Sequence, residues 1–218
     1  MTTKYIGPPY NGYTLYKQAD EGLWTAVRVS PSTGQMVLQS GVQGPKGQPE
    51  GVWSGAWLSG SIQVTQDGIY SLSALVNVGP VSMLLRGADN METSIFLLLD
   101  DVEDYQTFYA SGNTVGVNYG RVNLIVTKSL TKGAHRVQFG VGTYMDYRGV
   151  PSPAPYAEII ATFSSLVEAL PAGVAAVASS APKATAARGF RRPADERSLI
   201  RHEVSDIEAV SAGFLELK

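Results

Sequence analysis

Hydrophobic and polar residues alternate along much of the first 165 positions of the chain. The alternation is clearest in Ile69–Asn77, Arg121–Thr127 and Ala134–Val141, where nearly every second residue is apolar. A period of two is typical of a β-strand that buries one of its faces. These segments therefore predict strands that lie half in a core and half in solvent.

Turn-forming residues separate such segments, as at Gln66-Asp67-Gly68 and Lys132-Gly133. Further segments with the composition of strands are Leu23–Val29, Gln35–Gln39, Ser61–Thr65, Ser82–Arg86, Ser94–Asp100, Tyr105–Ala110 and Tyr156–Ser164. Helical periodicity is absent between them. Many short strands joined by turns favour a mainly β protein, an antiparallel β-sandwich or jelly roll.

The composition divides the chain into four parts. Residues 1–51 form a predicted N-terminal β segment with a Gly/Pro linker, and 52–165 form the predicted jelly-roll head. Residues 166–192 are a predicted Ala/Pro-rich linker, and 193–218 a C-terminal docking helix and tail. In the first linker, Gly41, Gly44 and Gly47 recur with the period of three that collagen requires, so it is either a flexible connection or a short collagen-like neck.

The C-terminal helix is predicted between two end signals. Pro193 and Asp195 favour its start and Gly213 its end. Its apolar residues recur at helical spacing, and they are Ile200, Val204, Ile207 and Val210. A helix this short is unstable alone and needs a surface to pack against. We interpret it as a docking element for another protein, with folding back onto its own head as the alternative.

Charge and composition exclude several classes of function. The net charge is −2, so no basic field favours nucleic acid as a partner. The chain has no cysteine, which excludes disulfides, thiolate metal sites and cysteine catalysis. Neither a secretory signal nor an apolar run long enough to span a membrane is expected. The expected location is a virion, with the cytoplasm as the alternative.

Catalytic and metal-binding patterns are also missing from the sequence. The two histidines, His135 and His202, lie in separate segments, and the acidic residues of 100–104 lack the spacing of a calcium loop. No Gly-x-Ser-x-Gly elbow, P-loop or dinucleotide fingerprint occurs. We expect no enzyme activity, no metal site and no cofactor.

Aromatic residues are the remaining candidates for binding, because rings stack on sugars and dominate protein interfaces. The candidates are Trp53, Trp57, Tyr144, Tyr147 and Tyr156. The three tyrosines flank a Pro/Gly loop, so we expect them to be more exposed than tyrosines within predicted strands. Packing in the core is the alternative for all of these residues.

One family resemblance is carried by several of these strands. Ile62–Val76, with its Asp-Gly turn, resembles the early strands of C1q/TNF-like jelly-roll heads. Val122–Thr127, the turn Leu130–Gly133 and Ala134–Val141 resemble a later strand, turn and return strand, and Ala157–Phe163 stands where a closing strand would. The resemblance covers about half the chain. It implies a homotrimer of the kind found in phage fibre, spike and capsid decoration proteins.

Two functions therefore compete at this point. The first is a non-enzymatic structural virion protein that contacts other virion proteins and, in a receptor-binding role, a glycan of the host surface. The alternative is a carbohydrate-binding β-sandwich module, for which the aromatic residues would supply the binding surface.

Overall fold

The computed structural model describes residues 3–7, 10, 12–19, 24–30, 35–43, 52–86, 90–100, 102–109, 112–146, 155–169 and 200–203. Thirteen strands lie within these residues. They are β1 Thr3–Ile6, β2 Thr14–Ala19, β3 Trp24–Ser30, β4 Gln35–Gln43, β5 Val52–Val64, β6 Gly68–Leu84, β7 Asn90–Leu99, β8 Val102–Tyr109, β9 Thr114–Val117, β10 Gly120–Leu130, β11 Gly133–Asp146, β12 Tyr156–Ala169 and β13 Ile200–Glu203. Within this part of the chain, no helix is long and apolar enough to cross a membrane.

The strands form two antiparallel sheets. Sheet A has the order β10-β6-β12-β4-β3, with β1 paired to β12 and β9 paired to β6. Sheet B has the order β13-β2-β5-β11-β7-β8. The sheets pack face to face over one large hydrophobic core, to which strands of both contribute. The predicted antiparallel β-sandwich is confirmed.

The alternating pattern has the expected physical origin. In β6, Tyr70, Leu72, Ala74, Val76 and Val78 are buried in the core. Residues between them, such as Leu75 and Asn77, are exposed on the outer face of sheet A. Burial of one face of each sheet is the main stabilising contribution, at roughly 25 cal/mol per Å² of apolar surface.

Strand β5 is longer than the sequence pattern predicts. Only Ser61–Thr65 shows the alternation, whereas the strand extends over Val52–Val64. Residues 53–59 are buried on both faces of sheet B, so apolar and small residues follow one another without a period of two. A strand covered on both sides has no polar face. Its sequence therefore lacks the alternating pattern from which the strand could be predicted.

The N-terminal segment supplies strands to both sheets. β4 pairs with β12 in sheet A, and β2 pairs with β5 in sheet B. Gly41, the first residue of the period-three glycines, lies in β4 and pairs with Trp24 and Glu158. It therefore belongs to a sheet, and the collagen-like neck is not formed there. Gly44 and Gly47 lie outside the described residues.

Two predictions for the C-terminal third need correction. β12 continues to Ala169, and Leu166 is buried in the core, so the predicted linker does not begin at 166. Ile200 lies in β13, which pairs with β2, so the helix prediction is wrong for Ile200–Glu203. An unpaired sheet edge offers backbone partners that a short isolated helix lacks, which favours the strand. Val204, Ile207 and Val210 lie outside the described residues.

Candidate functional site

A row of aromatic residues crosses sheet B on the face that points away from sheet A. Backbone pairing puts Tyr16 of β2 beside Trp57 of β5, and Trp57 beside Gly140 of β11. On the other side of Gly140, Phe96 of β7 stands beside Tyr105 of β8. The rings of Tyr16 and Trp57 are stacked, with centroids 5.8 Å apart and planes 12° apart. The row thus spans five strands.

A second row runs parallel to the first, four residues further along the strands. Trp53 of β5 pairs with Tyr144 of β11, and Tyr144 pairs with Glu92 of β7. Glu92 in turn pairs with Tyr109 at the end of β8. At about 3.4 Å per residue, the two rows are roughly 13 Å apart. We call this surface the aromatic face, and its rings are Tyr16, Trp53, Trp57, Phe96, Tyr105, Tyr109 and Tyr144.

Small residues lie between the two rows. Gly55, Gly142, Ser94 and Thr107 follow one another across β5, β11, β7 and β8. A Cβ atom on Gly55 would overlap the six-membered ring of Trp53, and one on Gly142 would lie 3.2 Å from its Nε1. The Trp53 indole therefore lies across the glycines. Of the other two residues in this line, Ser94 is buried and Thr107 is half-buried.

Three of the predicted binding residues meet on this face, but they are buried. Trp57 is 0 % exposed, and Trp53 and Tyr144 are each 6 % exposed. They pack with Tyr16, Phe96 and Leu98 in a second hydrophobic cluster, so the expected exposure of Tyr144 is wrong. The Nε1 donor of Trp57 is also buried and has no hydrogen-bond partner among the described residues. These side chains form the base of the aromatic face rather than its accessible surface.

The accessible part of the aromatic face lies on β7 and β8. Tyr109 is 39 % exposed, and Tyr105, Thr107 and Glu92 are half-buried. Burial, the Glu92 carboxylate and Tyr105 together raise the pKa of Tyr109 above its ordinary value of 10.0, so its ring carries a neutral phenol at physiological pH. Neutral rings beside hydroxyl and carboxylate groups suit a ligand that has both apolar faces and hydroxyls.

The sequence pattern predicts the relative solvent exposure of the tyrosines wrongly. It favoured Tyr144 because a Pro/Gly loop follows it, but that residue lies inside β11, a central strand with partners on both sides. Tyr105 and Tyr109 lie on β8, the last strand of sheet B. Strand order decides their exposure, and an alternation pattern contains no information on strand order.

The other two predicted binding residues are not part of the aromatic face. Tyr156 lies on β12 in sheet A, where its hydroxyl donates a hydrogen bond to Glu158 Oε2. Tyr147 lies outside the described residues. Glu158 also accepts a hydrogen bond from Gln39 Nε2 of β4. Together Gln39, Tyr156 and Glu158 form a small polar cluster on the outer face of sheet A.

His135 is part of an ion-pair cluster at one end of the sandwich. Its Nδ1 lies 2.9 Å from Asp100 Oδ2, and its Nε2 lies 2.7 Å from the Thr131 carbonyl oxygen. Asp100 also accepts hydrogen bonds from Lys128 Nζ at 3.2 Å and from the Arg136 backbone N–H at 2.9 Å. The hydrogen bonds to Asp100 and to the Thr131 carbonyl raise the pKa of His135 above its ordinary value of 6.5.

The acidic run 100–104 has structural contacts in the described part of the chain. Asp100 lies in the cluster with His135, and Asp104 Oδ2 accepts the Ile125 backbone N–H of β10 at 2.7 Å. Among the described residues, no group of three or more His, Asp or Glu side chains could hold a metal ion. His202 lies in β13, at the edge of sheet B.

No family model matches this chain, and no curated protein matches it. Several solved structures of carbohydrate-binding modules are similar to it in outline. TmCBM61 in complex with β-1,4-galactotriose has 9 % identity, covers 71 % of this chain and 87 % of its own, and has a TM-score of 0.32. The CBM35 from Cellvibrio japonicus Abf62 has 13 % identity, coverage of 78 % and 95 %, and a TM-score of 0.31.

A third similar structure is the CBM22-1 xylan-binding domain from Paenibacillus barcinonensis Xyn10C. It has 17 % identity, covers 78 % of this chain and 94 % of its own, and has a TM-score of 0.29. We draw no functional conclusion from likenesses of this size. The resemblance to C1q/TNF-like heads, the homotrimer and the virion location stay predictions.

Proposed function

We propose that this protein is a non-catalytic binding module for an oligosaccharide, and that the ligand lies on the accessible part of the aromatic face. The observation that carries the proposal is the pair of tyrosines on β8. Tyr105 and Tyr109 lie on the same face of sheet B, four residues apart on its last strand. A sugar ring has apolar faces that stack on such rings and hydroxyls around its edge.

Polar side chains stand where those hydroxyls would need partners. Thr107 lies between the two tyrosines on β8 and is half-buried. Glu92 stands beside Tyr109. A few oriented polar groups between aromatic platforms provide specificity in ligand sites, while the platforms supply most of the contact area.

The spacing of carboxylates on this face supports binding without hydrolysis. Glu92 pairs with Tyr109, and Glu103 pairs with Leu98, which is six residues away from Glu92 on β7. Six residues of a strand span roughly 20 Å. Glycoside hydrolysis uses two carboxyl groups about 5–10 Å apart, so these two described residues are too far apart to act as a pair.

A glycan array followed by affinity electrophoresis tests this proposal. The panel should include β-1,4-galactotriose and xylan, which are named for two of the similar structures. We expect the full chain to bind at least one neutral polysaccharide, and Tyr105→Ala and Tyr109→Ala each to weaken that binding about tenfold, equal to about 1.4 kcal/mol.

Leu75→Ala is the matched control, because Leu75 is 42 % exposed but lies on the outer face of sheet A. It should bind as the unmodified chain does, and circular dichroism should show that all variants fold. A flat array, or tyrosine variants that bind as well as the control, would overturn the proposal.

A further inference from the structure

Glu92 of β7 stands between two tyrosines of the aromatic face. Its cross-strand neighbours are Tyr109 of β8 on one side and Tyr144 of β11 on the other. Tyr144 is buried, whereas Tyr109 is 39 % exposed, so a ligand reaches Glu92 from the side of Tyr109. Directly opposed residues on one face of an antiparallel pair have Cβ atoms about 5 Å apart. A sugar ring that stacks on Tyr109 would therefore lie within reach of the Glu92 carboxylate.

Solvent exposure along β7 also points to Glu92. Four residues of this strand whose side chains the structure describes lie on the aromatic face, namely Glu92, Ser94, Phe96 and Leu98. Ser94, Phe96 and Leu98 are buried, whereas Glu92 is half-buried. Among these four, only Glu92 can offer a polar group to a ligand on the aromatic face, and that group is a carboxylate.

The charge of Glu92 acts on the exposed tyrosine itself. Burial is the largest cause of the raised pKa of Tyr109, and the Glu92 carboxylate is the next. A neighbouring negative charge raises the pKa of a phenol because it disfavours the phenolate anion. The same field disfavours any other anion at this position, such as the carboxylate of a uronic acid.

A neutral sugar would meet the same carboxylate favourably. An ionised carboxylate only accepts hydrogen bonds, and every hydroxyl of a sugar can donate one. Hydrogen bonds to a charged acceptor are roughly twice as strong as those between neutral groups. Glu92 would thus attract the hydroxyl edge of a neutral ring and repel an acidic ring. Specificity is strongest where attraction of one ligand is combined with repulsion of its competitor.

We propose that Glu92 makes the aromatic face selective for neutral sugars over uronic acids. This inference rests on the proposed function, because it assigns the specificity of the same site. Two unit charges about 7 Å apart weaken binding roughly threefold in water, and more where the effective dielectric constant is lower. The lost hydrogen bond adds to this repulsion.

Calorimetric titration of the full chain with matched polysaccharides tests the selectivity. Neutral arabinoxylan and acidic glucuronoxylan form one pair of probes, and hydroxyethylcellulose and carboxymethylcellulose form another, because the members of each pair share a backbone. We expect the neutral member of a pair to bind at least about tenfold more tightly in dilute salt. The ratio should decrease at about 1 M salt, which screens the repulsion between charges.

Glu92→Gln removes the charge and keeps the size of the side chain. It should reduce the ratio of affinities to about threefold or less. It should also lower the pKa of Tyr109, which nuclear magnetic resonance of ¹³C-labelled tyrosine measures without any ligand. Glu103→Gln is the matched control, a change of the same kind on β8, and it should leave both quantities unchanged.

The outcomes separate this inference from the proposed function. Absence of binding to all four polysaccharides would overturn both. Equal affinity for the two members of a pair, or a ratio that Glu92→Gln leaves unchanged, would overturn the role of Glu92 alone. An unchanged pKa of Tyr109 in Glu92→Gln would do the same, since the charge would then not act on the ring that is meant to hold the sugar.

Discussion

At the scale of single residues, one imidazole joins two turns of the sandwich. His135 of β11 bonds to Asp100 in the β7–β8 turn and to the carbonyl of Thr131 in the β10–β11 turn. Both partners are acceptors, so only the imidazolium form can donate to both. A neutral ring would turn a lone pair towards one of the two oxygens. Protonation of this residue is therefore coupled to folding.

The free energy of unfolding should depend on pH through this residue. The pKa of His135 is raised above 6.5 on folding, so its contribution is complete below pH 6.5 and is lost as pH rises through the folded pKa. Burial alone would raise the pKa of Asp100, but hydrogen bonds from His135, Arg136 and Lys128 outweigh it and lower this pKa below 3.8. The contribution of Asp100 is thus complete above pH 3.8 and lost as pH falls through the folded pKa.

Urea denaturation between pH 5 and 9 measures the histidine effect. Stability should decrease as pH rises above 6.5, with a slope of no more than about 1.4 kcal/mol per pH unit, the limit for one proton. His135→Gln should remove this slope while the variant stays folded. A slope that persists in His135→Gln would show that another group causes it.

Gly140 shows how the aromatic face restricts a single position. A Cβ atom there would overlap the Ala56 carbonyl oxygen and the backbone of Trp57, neither of which can move without disturbing β5. At Gly142, two residues along the same strand, the nearest obstacle is a side chain at 3.2 Å. The obstacle at Gly140 is therefore rigid, and the one at Gly142 can yield.

We expect Gly140→Ala to lower the free energy of unfolding by about 1–3 kcal/mol or more, the usual cost of overpacking. Gly142→Ala on the same strand should cost clearly less. Chemical denaturation of the two variants provides the comparison. Equal losses would mean that the close approach of β5 and β11 at Gly140 does not limit this position.

At the scale of elements, β4 and β5 are joined across the two sheets by serines. Ser40 Oγ lies 2.8 Å from Ser54 Oγ, and Ser54 Oγ donates to the Gly41 carbonyl oxygen at 2.7 Å. Ser54 pairs with Thr143, and Thr143 pairs with Thr93, so three hydroxyl residues follow one another across sheet B. The hydroxyls of Thr93 and Thr143 are buried without partners among the described residues.

The two kinds of hydroxyl should respond oppositely to removal. Ser54→Ala removes this side-chain donor from the Gly41 carbonyl and the hydroxyl partner of Ser40, and it should cost about 1–3 kcal/mol. Thr143→Val removes an unpaired buried hydroxyl at nearly constant volume, so it should be neutral or stabilising. Denaturant midpoints of the two variants measure the difference. A destabilised Thr143→Val protein would show that this hydroxyl has a partner, such as an internal water.

The strands that the sequence pattern predicts are those with one buried face and one solvent-exposed face. β6 and β10 alternate because the outer face of sheet A contacts solvent, and their patterns predict them well. In β11 only residues 133–136 lie partly in solvent, and residues 137–145 are buried on both faces. β5 is buried on both faces at residues 53–59, so the alternation pattern does not predict its first half. The spacing of Ile200 with later apolar residues predicts a helix, whereas the free edge of β2 decides its pairing. Pairing with a strand that is distant in the sequence leaves no pattern in the local sequence.

At the scale of the whole molecule, two different surfaces lie on opposite sides of the sandwich. The aromatic face belongs to sheet B, and the cluster of Gln39, Tyr156 and Glu158 belongs to sheet A. Sequence composition identified Trp53 and Trp57 as candidates because their residue type is characteristic of binding sites. It could not show that both are buried, nor that Gln39 meets Glu158 across 119 positions of the chain.

The pairing of β1 with β12 has a mechanical consequence. Thr3 stands beside Ala169, and the register continues to Ile6 beside Leu166. Residues opposite each other in an antiparallel pair are about 5 Å apart, so the first residue of β1 and the last residue of β12 lie almost at one point. Tension applied at these two positions would open β1 from β12 like a zipper, one residue pair after another, instead of loading all their hydrogen bonds together. Strand β1 would thus separate first under force, while the paired strands at the centre of each sheet still carried no load.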